Sequence, residues 1–346
     1  MRIGILGYGR FGRALGELLR EAGHGYRAWD PAVAIPAERR ASALEDLAGA
    51  EILVLAVPVA AQTAALASLR PHLRPDQLVF DVGSVKSGPC ALMDAQLGEA
   101  IPHAGTHPLF GPVSLARAER PLRVVLCPSA PHPAAADRVQ ALFESLGCEV
   151  LRQNPEDHDR VMATTHALTF FIAKGLLAVG AGAELPFTPP SFHAIARTLE
   201  SVREDAGHLF AALQNQNPFA AGAREGLLEA LSAIHQTLAE AVAEGADEQQ
   251  LAIPSLGERS PILQETRDNI DTLDQELVAL LARRTELVLR AGRAKAELGL
   301  PVHDPERESA QLQARRAWAQ EAHLDVQGVE DVFRAVLRAS RAAQGR

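Results

Sequence analysis

The stretch RIGILGYGRFG, residues 2–12, decides the fold of the first part of this chain. An apolar run at 2–6 predicts a buried strand, and the leucine spacing after Gly12 predicts a helix that ends near Gly23. Glycines stand between them as G-x-G-x-x-G: Gly7 permits a tight turn, Gly9 lets a diphosphate approach the backbone, and Gly12 lets the helix pack on the strand. The helix N-terminus then offers amides to phosphates. We therefore predict a dinucleotide site formed by Gly7, Tyr8, Gly9, Arg10, Phe11 and Gly12.

An acidic residue ends the next predicted strand, at residues 26–29. The Asp30 carboxylate can accept hydrogen bonds from both hydroxyls of a ribose and repels a 2′-phosphate, which favours NAD over NADP. The alternative, a glycine-rich turn that only packs, leaves Asp30 unexplained.

Strand and helix patterns continue to alternate as far as residue 152. Alternation of this kind predicts an α/β Rossmann-type domain with an open parallel sheet over residues 1–152. The further strands are expected at 52–57, 78–82, 101–104, 124–127 and 148–151. Because ligands collect at the carboxyl ends of parallel strands, Val57 and Gly83 are expected to line the cofactor site.

Two stretches follow strands of this sheet and carry polar side chains. The run GTHPLFGP, residues 105–112, is broken by glycine and proline, so we expect a loop that presents His107 for general acid–base chemistry. The run DVGSVK, residues 81–86, brings Ser84 and Lys86 to the same edge, so the three side chains should converge. The alternatives are a helix cap for Ser84 and a solvated side chain for Lys86.

The middle of the chain, residues 153–252, has helical patterns only. One long apolar helix is expected at 156–181, with His158 and His166 eight residues apart and on roughly the same face. His166 is either a ligand contact or a core residue. Further helices are expected at 192–213 and 225–244. The first of these carries Arg197 and Arg203, each of which could bind a carboxylate or form a surface ion pair.

GYGRFG, DVGSVK, GTHPLFGP and DHDRVMATTHAL, in this order and spacing, resemble the prephenate dehydrogenases over residues 1 to about 220. The resemblance implies that prephenate is oxidised with NAD and loses carbon dioxide to give 4-hydroxyphenylpyruvate. It implies that His107 takes the proton of the ring hydroxyl, that Ser84 orients His107 and that His166 contacts the substrate. One position departs from the family. Glu200 stands near the arginine that many members use for the ring carboxylate, with Arg197 and Arg203 on either side, so a preference for arogenate stays open.

The C-terminal part, residues 262–346, is predicted to be a second all-helical domain after a linker at 253–261. Its first helix, expected at 262–298, carries an apolar seam at three–four spacing: Ile270, Leu273, Leu277, Leu280, Leu287, Ala291 and Ala294. Arg284 lies in the seam, where it needs an anionic ligand, an internal acid or a register-setting role. Arg267 is about 25 Å from Arg284 along a straight helix, so both could bind one ligand only if the helix of a two-fold-related partner subunit crosses into the site.

The charged and polar positions of this domain stand in the order and spacing of the all-helical chorismate mutases, which residues 262–346 resemble. The family forms an intertwined dimer. The resemblance implies carboxylate binding by Arg267, Arg284 and Arg307, contact of Lys295 and Gln344 with the ether oxygen, and contact of Asp304 and Glu308 with the hydroxyl region. Ser340 completes the set. Asp304 is also expected to cap the second helix, with Pro305 at its first position.

Composition and charge limit the other possibilities. A net charge of −9 argues against nucleic acid as a partner. The three cysteines, Cys90, Cys127 and Cys148, have no metal-like spacing and indicate a reducing cytoplasm. We expect no metal site, no signal peptide and no apolar run long enough to span a membrane.

The sequence thus predicts a cytoplasmic, homodimeric, bifunctional enzyme with chorismate and prephenate as substrates. Two alternatives stay open. One is an arogenate or a simple hydroxyacid dehydrogenase; the other is a C-terminal module that serves only dimerisation or regulation.

Overall fold

The computed structural model describes residues 1–181, 187–189, 192–204, 207–244, 262–301 and 304–344, without the side chains at 201, 204, 208, 241–244 and 262–269. The chain divides into two compact units. One comprises Met1–Pro112 and Pro121–Ala252, and the other comprises Val113–Arg120 and Ile253–Arg346. The linker expected at 253–261 lies outside the described residues, and the domain boundaries expected at 152 and 252 stay predictions.

A seven-stranded sheet forms the centre of the first unit, in the order β2-β1-β3-β4-β5-β6-β7. Its middle strands are apolar runs because helices and loops cover both faces, and all four residues of the third strand are buried. The strands are β1 (Arg2–Leu6), β2 (Gly25–Trp29), β3 (Ile52–Leu55), β4 (Leu78–Asp81), β5 (His103–Pro108), β6 (Leu122–Pro128) and β7 (Cys148–Arg152). The helices between the strands are α1 (Arg10–Glu21), α2 (Gln62–Leu69), α3 (Ser87–Leu97), α4 (Pro112–Ala116) and α5 (Pro133–Ser145).

The expectation that His107 lies on a loop is wrong, because β5 continues through His107 to Pro108. Register pairs His107 with Val125 and Pro108 with Val124, and the Leu109 amide bonds the Arg123 carbonyl. In an antiparallel ladder, hydrogen-bonded pairs alternate with non-bonded ones, so Pro108 takes a non-bonded position on this side. On the other side, β4 ends opposite Gly105. Pro108 therefore interrupts no ladder bond, and the strand tolerates it.

The sequence predicts an open parallel sheet, but one pair of neighbouring strands in the observed sheet is antiparallel. Five strands, from β2 to β5 in the sheet order, run the same way, and β6 and β7 run the opposite way, because β5 and β6 pair antiparallel. The connection between these two strands contains only the five-residue helix α4. A crossover to a parallel neighbour usually contains a helix that runs back along the sheet, and a five-residue helix is too short for that.

The predicted apolar helix of the middle region runs continuously but with one widened turn. It consists of α6 (Pro155–Met162), a π-helical turn (Ala163–Ala167) and α7 (Leu168–Ala178). By length and composition this stretch, Pro155–Ala178, could cross a membrane, contrary to expectation. That finding is weak, since core helices of soluble proteins have the same length and composition.

The remaining helices of this unit cover the α6–α7 stretch. Of the helix expected at 192–213, the structure describes α8 (His193–Glu204), α9 (Gly207–Ala211) and a second π-helical turn (Ala212–Gln216), and residues 205 and 206 lie outside the described residues. The last helix of the unit is α10 (Ala220–Glu244).

Three helices make up most of the second unit, as predicted: α11 (Ile262–Glu297), α12 (Pro305–Glu321) and α13 (Val326–Gln344). Asp304 caps α12 by accepting the Arg307 amide, with Pro305 at the first position. α13 packs on both of the other helices. The seam predicted on α11 is largely exposed: Ile270, Leu273, Leu277 and Leu280 are each more than half accessible.

Candidate active sites

The glycine-rich turn has the geometry that the sequence predicts. Gly7 has a φ of +99°, and a Cβ there would lie 2.6 Å from the Ala56 carbonyl oxygen. A Cβ on Gly12 would lie 2.2 Å from the Gly7 carbonyl oxygen, whereas a Cβ on Gly9 would meet nothing within 4 Å. The space over Gly9, at the N-terminus of α1, is therefore open, and the first turn of α1 carries no acid. This is a cradle for the phosphates of a dinucleotide.

Asp30 fixes this turn to the end of β2. Its Oδ2 accepts the Tyr8 amide at 2.7 Å, and its Oδ1 accepts the amides of Ala32 and Val33. Oδ2 has a second lone pair, which a ribose hydroxyl could use. The residues fit a dinucleotide.

The other predicted cofactor residues lie around the turn in different ways. The Tyr8 side chain is buried, with its hydroxyl 2.9 Å from that of Tyr26, so Tyr8 offers only its backbone. Val57 adjoins Gly7, because a Cβ there would lie 2.9 Å from Val57 Cγ1. Phe11 lies near Phe110, and Arg10 is exposed. Gly83 follows β4 and donates its amide to Asp81.

A chain of hydrogen bonds connects His107 to a buried carboxylate. Nδ1 of His107 lies 2.9 Å from Nε2 of His158, and Nδ1 of His158 lies 2.8 Å from Oδ1 of Asp159. His107 is 5% exposed, His158 2% and Asp159 0%. The amides of Lys86 and Ser87, at the N-terminus of α3, also donate to the Asp159 carboxylate, each at 2.8 Å.

The charge on Asp159 determines which nitrogen of each ring carries hydrogen. Burial opposes ionisation, but hydrogen bonds from His158, Ser87 and Lys86 outweigh it and lower the pKa of Asp159. An ionised carboxylate only accepts, so Nδ1 of His158 is the donor to Asp159. With hydrogen on Nδ1 alone, His158 accepts at Nε2 from Nδ1 of His107. Nε2 of His107 is left without hydrogen, as a general base requires.

His166 lies on the other side of His107. The two rings are nearly parallel, at 9°, with centroids 6.3 Å apart, and Phe170 packs edge-on against His166. Burial above all, and then the electrostatic effect of the neighbouring His158, Lys86 and His166, holds the pKa of His107 well below its ordinary value. Burial and then His158 lower the pKa of His166. Both rings are therefore neutral at neutral pH.

Lys86 is fully buried, so the interpretation as a solvated side chain is wrong. Its Nζ donates to Oδ1 of Asp81 and to the carbonyl of Thr106, both at 2.6 Å. This pair joins the end of β4 to the residue that precedes His107 on β5. A buried lysine is stable here because a carboxylate and a carbonyl satisfy it.

The resemblance implies that Ser84 orients His107, but the hydrogen-bond partner observed for His107 is His158. Ser84 is half-buried, and Nδ1 of His107 bonds His158 instead. The role of Ser84 stays a prediction. Arg197 and Arg203 are both exposed on α8, and the choice between them as a carboxylate ligand also stays a prediction. No three His, Cys, Asp or Glu side chains in the described ranges stand together as a metal site.

The second unit brings together part of the second predicted set. Arg284 of α11 donates to the Ser340 hydroxyl on α13, and Gln344 donates to the Val288 carbonyl at 2.7 Å. Burial, and then the charge of Arg315, lower the pKa of Arg284. Lys295 is half-buried on the same helix. The side chain of Arg267 lies outside the described residues.

Glu308 has a partner that the sequence did not indicate. Nη1 of Arg341, on α13, lies 2.8 and 2.6 Å from the two oxygens of Glu308 on α12. Arg341 follows Ser340 in the chain, so neighbouring positions of α13 contact α12 and α11. The side chain of Arg307 is exposed, while its amide bonds Asp304.

Two comparisons bear on the first unit. Residues 27–152 match the family model described as the nucleotide-binding domain of prephenate dehydrogenase. A 4-amino-4-deoxyprephenate dehydrogenase from Streptomyces pristinaespiralis is 31% identical over 208 residues, which are 57% of this chain and 67% of that protein. The chain belongs to the prephenate dehydrogenase family.

This family member carries a second recognisable segment. Residues 266–345 match the model described as chorismate mutase type II. The T-protein of Haemophilus influenzae is 48% identical over 80 residues. The alignment covers 23% of this chain and 21% of the T-protein, so it compares a small part of each.

A solved structure shares the fold of this chain. The crystal structure of prephenate dehydrogenase from A. aeolicus, a complex with hydroxyphenyl propionate and NAD+, has a TM-score of 0.58 at 18% identity. The superposition covers 80% of this chain and 98% of that one. At this identity the similarity shows the fold alone.

Proposed function

We propose that the chain is a bifunctional enzyme that converts chorismate to prephenate and then oxidises prephenate with NAD to 4-hydroxyphenylpyruvate. The single observation that carries the first activity is the chain His107–His158–Asp159, which leaves Nε2 of His107 unprotonated in a buried site. The product of the C-terminal module is the substrate of the N-terminal one, which supports joining the two activities.

His107 is the general base of the dehydrogenase. Its Nε2 takes the proton of the ring hydroxyl while the carbinol carbon loses hydride. The positive charge that forms on His107 is stabilised by Asp159 through His158. The resulting ring carbonyl is conjugated to the carbon that bears the carboxylate, so carbon dioxide leaves as the electrons enter an aromatic ring.

NAD+ supplies the hydride acceptor when bound. The residues that hold it are the open turn at Gly9, the amides at the start of α1 and the carboxylate of Asp30. His166 faces His107 from the opposite side and contacts the substrate. Ser84 and one of Arg197 or Arg203 complete the binding site.

The mutase needs neither a base nor a nucleophile. It holds a dianion in a compact conformer and stabilises the charge that develops on the ether oxygen. Arg284, fixed by Ser340, binds a carboxylate, as do Arg267 and Arg307. Lys295 and Gln344 address the ether oxygen. Glu308 and Asp304 address the hydroxyl region, with Glu308 held in place by Arg341.

The enzyme acts as a homodimer in the cytoplasm. Support for the dimer comes from the exposed seam of α11, where Leu277 is 56% and Leu280 54% accessible. Apolar surface repeated along a helix in this way is typical of a helix–helix interface. The helix length also places Arg267 beyond the reach of a ligand bound at Arg284 in the same protomer. The partner subunit's Arg267 would supply the contact with that ligand.

A substrate panel on the full chain tests this function. NADH formation is followed with prephenate, arogenate and a simple 2-hydroxyacid, and NADP+ is compared with NAD+. Chorismate is then given alone and together with NAD+. We expect prephenate with NAD+ to be the best pair, and chorismate with NAD+ to give NADH after a lag. If arogenate is oxidised faster than prephenate, the substrate assignment is wrong; if chorismate is never consumed, the second activity is wrong.

A further inference from the structure

The turn that carries His166 is held by a residue from another helix. The π-helical turn Ala163–Ala167 is one residue wider than α-helix, and the Ala167 carbonyl accepts a hydrogen bond from Nε2 of Gln214 at 2.7 Å. Gln214 is 7% exposed and lies in the second π-helical turn, Ala212–Gln216. Two unusual turns therefore meet at one buried hydrogen bond beside His166.

Arg224 fixes the direction of this bond. Its Nη1 lies 2.8 Å from Oε1 and 3.1 Å from the main-chain oxygen of Gln214. A guanidinium only donates, so the amide oxygen of Gln214 must face Arg224. The amide nitrogen is then directed at the Ala167 carbonyl and cannot exchange places with the oxygen without losing both bonds.

The same segment reaches the other histidine. Three residues after Gln214, Nδ2 of Asn217 donates to the main-chain oxygen of Asp159 at 2.8 Å, while its Oδ1 accepts the Phe219 amide at 2.9 Å. Asn217 is 3% exposed. Asp159 follows His158 in the chain and binds its ring.

We propose that Gln214, Asn217 and Arg224 are positioning residues that hold His166 and His158 on the two sides of His107. The proposal rests on the proposed function of that site. Gln214, oriented by Arg224, sets the place of His166 and therefore governs substrate binding. Asn217 sets the place of Asp159 and His158 and therefore governs the basicity of His107. The two attachments are separate, so each can be released without the other.

Two amide-to-carboxylate substitutions test this division. Gln214→Glu keeps the acceptor for Arg224, and Asn217→Asp keeps the acceptor for Phe219. Each replaces the amide donor by a carboxylate oxygen that faces the carbonyl of Ala167 or Asp159, so the attachment is lost and a negative charge is added. Gln140→Glu is the matched control, since Gln140 lies on the exposed side of α5 and bonds Glu144 and Arg152. Gln214→Met, of similar length and without charge, is the second variant if Gln214→Glu does not fold.

We expect Gln214→Glu to raise the KM for prephenate about ten-fold with the pH profile of kcat unchanged, the effect of one lost buried hydrogen bond. We expect Asn217→Asp to move the acid limb of that profile with a smaller change in KM. The histidine ring signals of the full-length protein are followed by NMR without substrate. In Gln214→Glu the pKa of His166 should return towards its ordinary value as water enters, and in Asn217→Asp the pKa of His107 should change.

Two results would overturn the proposal. One is that ring signals and kinetics of both variants match those of the Gln140→Glu control. The other is that both variants change KM, kcat and Tm together, in the same ratio, as general loosening of the core requires. If the wild-type protein does not oxidise prephenate, the proposed function is wrong. If the histidine signals of the two variants nevertheless change as expected, the positioning role remains.

Discussion

Nδ1 of His107 lies 2.9 Å from Nε2 of His158, although the two residues are 51 positions apart in the chain. The contact joins β5 of the central sheet to α6. Because Asp159 anchors the far side of His158, the direction of every hydrogen bond in the chain is determined. The free lone pair of His107 is the consequence, and it is the basis of the first two predictions.

Replacing His107 by asparagine removes the general base. We expect kcat for prephenate oxidation to fall by about 10²–10⁴-fold, the usual contribution of such a group. Mutase activity with chorismate should be unchanged, since the two modules use different residues. Loss of both activities in a variant with a native circular dichroism spectrum contradicts separate sites.

Asp159→Asn removes the charge at the end of the hydrogen-bonded chain. The asparagine amide can donate to His158, which reverses both rings and puts hydrogen on Nε2 of His107. We expect kcat to fall by about 10²-fold or more at little cost in KM. Asp157→Asn is the control, because Asp157 is an exposed carboxylate on the same helix that bonds Asn154. Equal rates in the two variants would exclude the relay.

The lowered pKa values of two histidines should make the stability of the protein depend on pH. Burial lowers the pKa of His107 and of His166. In the unfolded chain each of these histidines has a pKa of about 6.5. Below that pH the unfolded chain binds more protons than the folded one, so acid favours unfolding. We expect the urea midpoint to fall between pH 7.5 and pH 5.5, and to fall less in His107→Asn. An equal fall in both proteins contradicts the assignment.

Lys295→Ala tests the mutase site. The loss of one fixed positive charge at the ether oxygen should reduce kcat for chorismate by about 10²–10³-fold, as for an oxyanion-hole donor. Prephenate oxidation should stay at the wild-type rate. Full mutase activity in this variant would remove Lys295 from the site.

Glu330 connects α12 and α13 in the second unit and should make that unit sensitive to acid. Its side chain is 3% exposed and bonds Arg316 at 2.9 Å and Arg334 at 2.6 Å. Hydrogen bonds from Arg316 and then Arg334 lower the pKa of Glu330 to about 2. The stabilisation is present above the ordinary glutamate pKa and is lost as pH falls towards 2.

We therefore expect Glu330→Gln to lower Tm at pH 7, with a smaller difference from wild type at pH 3. Glu306→Gln, at an exposed position on α12, is the control. A difference that stays constant between the two pH values shows that the pair does not titrate as described.

Local patterns were sufficient for much of this fold. The roles of Gly7 and Gly12 follow from the absence of a Cβ, and the cap at Asp304 follows from three neighbouring residues. The helices of the second unit follow from apolar spacing. In each case the physical cause lies within a few positions of its effect, so the sequence contains it directly.

Contacts between distant residues could not be predicted in this way. The sequence places His158 on a helix without indicating its partner, and Asp159 and Lys86 have hydrogen-bond partners on other elements. Pro108 predicts a loop, because the sequence of a single strand does not reveal which side of it lacks a partner. Arg341 pairs with Glu308 across two helices, and no spacing rule relates them.

The π-helical turn at Ala163–Ala167 has a consequence for insertions and deletions. Eight residues of regular α-helix rotate about 800°, which leaves the second side chain about 80° past two full turns. A turn that absorbs one extra residue brings this offset to about 20°, so His158 and His166 point the same way. Removing a single residue from this turn would restore regular winding and swing everything after it by about 100°. The chain can therefore tolerate changes of side chain here far more easily than a change of length.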